Sequence, residues 1–377
     1  MLNDLPDCVI LHILSFLDTK DAVRTCILSV RWKDLWKSHP ALTLDFVKFT
    51  HYDVNEFVSK VLSLRDSSIS LQSVNVRLLI CGMVPLILTR ILSYAVSHNV
   101  HRLEIEVCGH IAQILPTMFS SLTLTHLELS IHSLGAPAPE TIFPNSLNLP
   151  ALTNLQLENI SFSVGENGFA EPFSTFPKLN SLFLYNCNVG RSHTGTLCIS
   201  SSTLVNLTMY NHNCIFYKID LRSPSLCKFV FTGNPYHKVL ATDVSSLKHL
   251  DMVAYRKAPP LFLFNWLLEF VNIESLTVSA ATLQVLSLIP NLLKMDFPSL
   301  VNLKSLKVIM GPISYGFRMT VCQKKLRNVK SKEEAVALRK AFANGSDPSL
   351  LIPDGIVDFL LQNSPLAEVY FIGYKKL

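Results

Sequence analysis

Twelve histidines and nine cysteines are the side chains of this 377-residue sequence best suited to metal or nucleophilic chemistry, and their spacing supports neither. The cysteines stand at 8, 26, 81, 108, 187, 198, 214, 227 and 322, with no Cys-x-x-Cys pair. Zinc sites bring cysteines together at short intervals. The histidines show no metal-ligand spacing. Gly-x-Gly-x-x-Gly, Gly-Lys-Ser/Thr, Gly-x-Ser-x-Gly and His-Glu-x-x-His are all missing, which removes the usual signals for phosphate cradles, nucleophile elbows and metalloprotease sites. Cys8 and Cys26 lie in apolar helix-forming stretches and read as packed thiols. No catalytic residue, metal ligand or cofactor is expected, and the chain is not expected to be an enzyme. The chemistry left to it is non-covalent recognition. Two sets of residues suit that: Leu5, Pro6, Ile10, Ile13, Leu14, Leu17, Trp32 and Trp36 near the start, and Glu104, Glu106, Glu128, Glu158, Phe183, Tyr185 and Tyr210 further on.

The first set must be carried by short helices. Pro6 and Asp7 suit a first helical turn. Ile10, Ile13, Leu14 and Leu17 follow at i, i+3, i+4 and i+7, an apolar stripe. Asp18 or Thr19 can cap a second helix with Val23, Cys26 and Ile27 on its apolar side. Ser29 can cap a third, where Trp32, Leu35 and Trp36 share a face, and Pro40 helps end it. Some thirty residues of this kind are too few to bury a core alone, so the segment reads as a docking module.

The second set rides on a repeat. Leu-x-x-Leu-x-Leu and close variants recur with central positions at 103, 127, 155, 182, 207, 229, 250, 276 and 306. The steps run from 21 to 30 residues, in or near the range of leucine-rich repeats. Each unit supplies a short strand whose apolar face only stacked neighbours can cover. Leu42-Leu44-Phe46 and Val74-Val76-Leu78 read as degenerate first strands, and 57–64 and 84–96 as helices. Asn186-Cys187 falls near the position where such repeats satisfy the turn backbone. Residues between and just after the strand leucines face outward. That puts the four glutamates on the early strands, Phe183, Tyr185 and Tyr210 on the middle ones, and Asp251, Thr277 and Lys307 on the late ones.

Towards the end, Ser331-Lys332-Glu333-Glu334 is a capping box opening a helix through Ala343, with Gly345 suited to its stop. Lys324, Lys325, Arg327, Lys330 and Lys332 make this insertion basic. It reads as a solvated loop or, alternatively, as a nuclear-import or nucleic-acid patch.

The bulk numbers agree. Hydrophobic residues make up 49% and charged ones 16%, enough apolar content for a large core. A net charge of +5 is too diffuse to argue for nucleic acid. The longest apolar run, 78–88, contains Gly82 and Pro85 and falls short of the roughly 20 residues of a membrane span. Met1-Leu2-Asn3-Asp4 has no positive stretch leading into an apolar core, so no secretory leader is expected. An odd number of scattered cysteines points to reduced thiols inside the cell. The glycosylation sequons at Asn159, Asn206 and Asn344 then read as chance.

Residues 5–36 resemble the plant-type F-box. The matching residues are Leu5-Pro6-Asp7, Ile13-Leu14-Ser15-Phe16-Leu17, Thr19-Lys20-Asp21-Ala22-Val23-Arg24-Thr25, Leu28-Ser29, Arg31-Trp32 and Leu35-Trp36. Val30 departs from it, standing where the family usually carries a basic residue. The repeats with their irregular steps are similar to plant F-box/leucine-rich-repeat proteins, and 356–366 followed by a final strand resembles the end of the FBD-type region.

The resemblance implies an α/β fold. A three-helix F-box occupies 1–40 and a linking stretch with degenerate repeats 41–100. An irregular leucine-rich-repeat solenoid follows over 101–312, with parallel strands on the concave face and helices and loops on the convex face. An FBD-like capping region with the basic insertion takes 313–377. It further implies that the helices dock a Skp-type adaptor of a cullin–RING ubiquitin ligase through Leu5, Pro6 and the apolar stripe, with the tryptophans shared between that contact and the module's interior. The repeats would bind a client protein for ubiquitination in the cytoplasm or nucleus. Neither membrane nor nucleic acid is expected as a partner. Two alternatives stay open: a co-receptor for a small hormone-like molecule, and a binding scaffold outside any ligase.

Overall fold

The computed structural model describes residues 5–47, 51–79, 84–109, 121–132, 141–144, 147–189, 195–211, 218–233, 238–254, 259–297, 300–310, 323, 326–327, 329, 331–343 and 352–373. The chain forms two compact units. Met1–Ser163 with Pro172–Ser181 is one, and Val164–Glu171 with Leu182–Leu377 the other. The division falls inside the repeats, and the N-terminal helices share a unit with the first strands.

In the first unit the strands Ala41–Asp45, Ser73–Leu78, Arg102–Cys108, His126–His132 and Asn154–Glu158 pair in that order, all parallel. Their register lines up Leu42, Val74, Leu103, Leu127 and Leu155 in one row and Leu44, Val76, Ile105, Leu129 and Leu157 in a second. Both rows are buried, each side chain worth about 2 kcal/mol when removed from water. Residues between them alternate outward along each strand, as a period of two requires. Parallel neighbours need a long return. The helices His51–Leu64 and Val84–Ser97 supply the first two. Beyond them, Phe143, Phe162 and Phe173 fill the space with edge-on ring contacts at 6.1 and 5.4 Å between centroids.

The second unit repeats the scheme. Ser181–Tyr185, Asn206–Asn211, Lys228–Gly233, His249–Ala254, Ser275–Ser279, Ser305–Met310 and Glu368–Gly373 follow one another in the sheet. Register sets Leu207, Phe229, Leu250, Leu276, Leu306 and Val369 in one row and Met209, Phe231, Met252, Val278, Val308 and Phe371 in the other. The rows are buried as far as Leu306 and Val308, whereas Phe371 on the last strand is exposed. Gly233 ends its strand at φ +138°, where a Cβ would lie 1.9 Å from the Asn211 carbonyl oxygen.

The returns of this unit hold more than the helices and loops expected. Phe169–Ala170, Thr196–Ser200, Lys218–Arg222 and Lys238–Asp243 form a second parallel ladder. It adds Leu197, Ile199, Ile219, Leu221 and Val239 to the interior. Runs such as Leu197-Cys198-Ile199 lack the repeat's leucine spacing, which is why periodicity overlooks them. Helices Pro260–Glu269 and Ala280–Leu286 follow, the second capped by Ser279, whose hydroxyl accepts from the Thr282 amide at 3.1 Å.

The helix Lys332–Ala343 forms where the capping box suggests, with Ser331 Oγ accepting from the Glu334 amide at 3.1 Å. Gly345 and the basic residues Lys324, Lys325 and Lys330 lie outside the described residues. Among the described residues, no helix is long and apolar enough to cross a membrane, and no group of three or more His, Cys, Asp or Glu is placed to hold a metal ion.

Candidate functional site

The docking module is built from helices Asp7–Leu14 and Thr19–Arg24, a 3-10 turn at Thr25–Ile27, helix Trp32–Leu35 and a 3-10 turn at Trp36–Ser38. Pro6, extended at φ −55°, opens the first helix. Asp18 caps the second, accepting from the Asp21 amide at 2.7 Å. The third is not capped by Ser29. Its N-cap is Arg31, and the Ser29 hydroxyl is buried without a hydrogen bond. Arg31 instead reaches back to Asp7, Nε to Oδ1 3.0 Å, tying the third helix to the first. Thr19, buried, accepts from the Thr43 amide at 3.0 Å and fastens the second helix to the first strand.

This packing divides the expected contact residues between interior and surface. Ile10, Leu14, Trp32 and Trp36 lie inside the module, whereas Leu5, Ile13 and Leu17 are partly exposed and Pro6 is exposed. The physical reason is that an amphipathic stripe marks a face that must be covered without saying by what. Here the three helices and the first strand cover one another. What remains in solvent is a different apolar set: Phe16 at 76% exposure, Ile27 at 85%, Val30 at 87% and Leu28 at 54%. Helical spacing places Ile27 on the packed side of the second helix, and the 3-10 turn carries it outward instead. Val30, the departure from the family pattern, is the sequence signal that points to this set. Cys8, expected to be packed, is exposed.

In the first unit, Glu104, Glu106, Glu128 and Glu158 occupy the outward positions of three neighbouring strands and line a cavity of about 250 Å³ with Asn75, Ser130 and His132. Register accounts for it: Glu104 pairs with Asn75 and Glu128, and Ser130 with Glu106 and Glu158. Each carboxylate has a cross-strand or same-strand partner. Glu104 accepts from Asn75 and from Arg102 Nε at 2.5 and 2.6 Å. Glu106 lies 2.9 Å from Arg77 Nε and 3.1 Å from His132 Nε2. Gln156 donates to Glu128 at 2.9 Å and Ser130 to Glu158 at 2.8 Å. Partial burial, reinforced by Glu104, Glu158 and Glu106, pushes the Glu128 carboxyl above its ordinary range.

The second unit carries the aromatic residues. Phe183, Tyr185 and Tyr210 are all half-buried on outward positions. Tyr210 sits between the other two, with ring centroids 5.4 Å from Phe183 and 6.0 Å from Tyr185. Asn186 follows with φ +49°, its amide donating to the Tyr210 carbonyl at 2.8 Å. In the first unit Asn159 plays a similar part. At φ +56° its side-chain amide donates to the Ile131 carbonyl at 3.0 Å, a turn role that its reading as a chance sequon does not suggest. Cys198 carries no reactive signal, since burial and the Glu171 carboxylate push its thiol up to about 12.

Comparison with known proteins places both regions. Residues 2–43 match the F-box domain, and residues 115–261 match the family described as FBD-associated F-box protein At5g56370, LRR repeats. A putative F-box/LRR-repeat protein of Arabidopsis thaliana is 28% identical over 345 residues, spanning 83% of this chain and 72% of its own. A putative F-box/FBD/LRR-repeat protein of the same plant is 24% identical over 414 residues, spanning 97% and 85%. An FBD-associated F-box protein, also from Arabidopsis thaliana, is 31% identical over 215 residues, 55% of this chain and 50% of its own.

Proposed function

For a chain that belongs to the plant F-box/leucine-rich-repeat proteins, we propose the role of substrate receptor in a cullin–RING ubiquitin ligase. The docking helices bind a Skp-type adaptor and the strand faces hold a client protein. The receptor contributes no covalent step. It raises the local concentration of the client near the ubiquitin-carrying enzyme, an effect that can be large when geometry is held.

The observation that carries the adaptor half is the exposure of Phe16, Ile27, Leu28 and Val30 on a module whose interior is already filled by Ile10, Leu14, Trp32 and Trp36. Large apolar side chains left in water within fifteen residues need a cover, and buried aromatic anchors dominate such interfaces. Leu5 and Pro6 at the module's corner join this contact. On the client half, the glutamate face suits a basic segment, and the Phe183, Tyr185 and Tyr210 cluster suits an apolar or aromatic one.

The deciding experiment is recovery of a purified Skp-type adaptor by the full chain, compared with Phe16→Asp plus Val30→Asp and with Leu5→Ala plus Pro6→Ala. Binding by the wild type and at least a tenfold loss in the first pair is the expected result. No adaptor bound by the wild type refutes the ligase reading and leaves a binding scaffold. Full-length protein with Phe16→Asp plus Val30→Asp then serves as a client trap, in which Tyr185→Ala plus Tyr210→Ala should reduce capture; unchanged capture removes the aromatic cluster from the client site.

A further inference from the structure

Arg65 is buried to 6% exposure directly after the helix His51–Leu64, its own amide continuing the last turn onto the Val61 carbonyl at 3.2 Å. Its guanidinium donates through Nη2 to the carbonyl of His39. That carbonyl ends the docking module, immediately after the 3-10 turn Trp36–Ser38. His39 is itself buried, with Nδ1 2.9 Å from the Ala41 carbonyl oxygen at the start of the first strand. The backbone closes round the same point: the Asp66 amide donates to Lys37 at 3.1 Å and the Gln72 amide to Pro40 at 2.8 Å.

The charge at the centre of this joint is poorly compensated. Among the described residues no carboxylate lies within ion-pair distance of Arg65. The neighbouring Asp66 carboxylate turns away to the Ser68 amide and hydroxyl at 2.9 and 2.7 Å. Arg65 Nε and the Tyr94 hydroxyl, both buried, make no regular hydrogen bond. Burial lowers the Arg65 pKa, with the nearby Tyr94 hydroxyl the first group opposing the shift. A buried guanidinium whose only nearby carboxylate among the described residues, Asp66, acts from beyond ion-pair distance is a weak way to add stability, because an apolar chain of similar length fills the space without the desolvation cost. What a guanidinium adds is direction, since its planar fork holds an acceptor to one geometry.

We propose that Arg65 is the positioning residue of this receptor, a latch that holds the docking helices at a set angle on the first repeat. Its consequence for ubiquitin transfer rests on the ligase reading. A receptor that works by proximity transmits position only as well as its joint is stiff.

Hydrogen exchange on the full chain without any partner tests the latch. In Arg65→Met, amides of residues 36–46 and 61–68 should exchange about tenfold faster, while the strands Arg102–Cys108 and His126–His132 keep their protection, the mark of a local opening. Wild-type exchange at the joint overturns the proposal. Equal acceleration across the whole first unit also overturns it, because that is the signature of a residue that only stabilises. If Arg65→Met does not fold, Arg65→Lys decides on the same criteria: it keeps the charge and loses the fork, and wild-type protection of the joint would sink the idea. Adaptor recovery is measured separately, so a chain that binds no adaptor refutes the ligase reading without touching the exchange result.

Discussion

Gln156 donates from Nε2 to Oε1 of Glu128 over 2.9 Å, one strand across the sheet, so this carboxylate of the acidic face is held by a neutral amide. Its pKa is raised by partial burial and by Glu104, Glu158 and Glu106. The sign follows from linkage: the folded protein binds the proton more tightly than the unfolded chain, so this carboxylate costs stability above its raised folded value and the cost fades as pH falls towards the ordinary glutamate range. Glu128→Gln should therefore be slightly more stable than wild type at neutral pH and indistinguishable from it in acid. Solvent screening of a half-exposed group keeps the gain under about 1 kcal/mol. Thermal melts at pH 7 and pH 4 check it, and an equal offset at both pH values would rule out the electrostatic cause.

The docking module separates interior from surface. Leu14→Ala removes a fully buried side chain and should cost about 2–5 kcal/mol, melting the helices that Thr19 and Arg31 fasten. Phe16→Ala takes away an exposed ring and should leave the melting curve within about 0.5 kcal/mol of wild type. Chemical denaturation of both variants, followed by adaptor recovery, tests this. Recovery lost in a Leu14→Ala chain that denaturation shows still folded, with Phe16→Ala unaffected, would move the contact back to the stripe.

In the second unit Asp220 is buried and accepts from Arg222 Nε at 2.8 Å and from the Thr242 hydroxyl at 2.6 Å. Asp220→Ala strips both donors of their acceptor at once. Arg222 is half-exposed, so water takes up the freed guanidinium and the expected loss is that of a missing acceptor, about 1–3 kcal/mol. Arg222→Met should cost more than Asp220→Ala, because it leaves a buried carboxylate with the Thr242 hydroxyl in place of its counter-charge, whereas the guanidinium freed by the other change is already half in water. Urea unfolding of the two single variants provides the comparison.

Gly233 is the position where backbone approach allows nothing larger. A Cβ there would sit 1.9 Å from the Asn211 carbonyl oxygen, and its φ of +138° is closed to other residues. Gly233→Ala should destabilise the protein by at least about 2 kcal/mol, combining backbone strain with a contact that only a shift of the strand relieves. Gly168→Ala is the control. Its φ is +80°, yet a methyl group there would meet nothing within 4 Å, so only the strain contribution should appear. Urea unfolding of the pair measures the difference.

The strand rows were legible because a repeat states its own register: Leu103, Leu127 and Leu155, and then Leu207, Phe229, Leu250, Leu276 and Leu306, become Cα partners in the order of their spacing. A period of two also put Glu104, Glu106, Glu128, Glu158, Phe183, Tyr185 and Tyr210 on outward positions. These are local properties, fixed by which side of a strand a side chain leaves from. The second ladder was hidden because Leu197, Ile199, Ile219 and Leu221 pair with residues some twenty positions away without any repeated leucine spacing.

For the docking helices the same periodicity named the apolar stripe and could go no further. Whether Ile10, Leu14, Trp32 and Trp36 meet a partner or each other depends on how many neighbours fold over them, and that is a property of the assembled unit. Packing spends those four on the interior and leaves Phe16, Ile27, Leu28 and Val30 outside. The burial of Arg65 likewise follows only from its helix end being set against His39. Chemical type and periodicity are written residue by residue, whereas burial is a collective outcome, and in this protein the candidate contacts turn on burial.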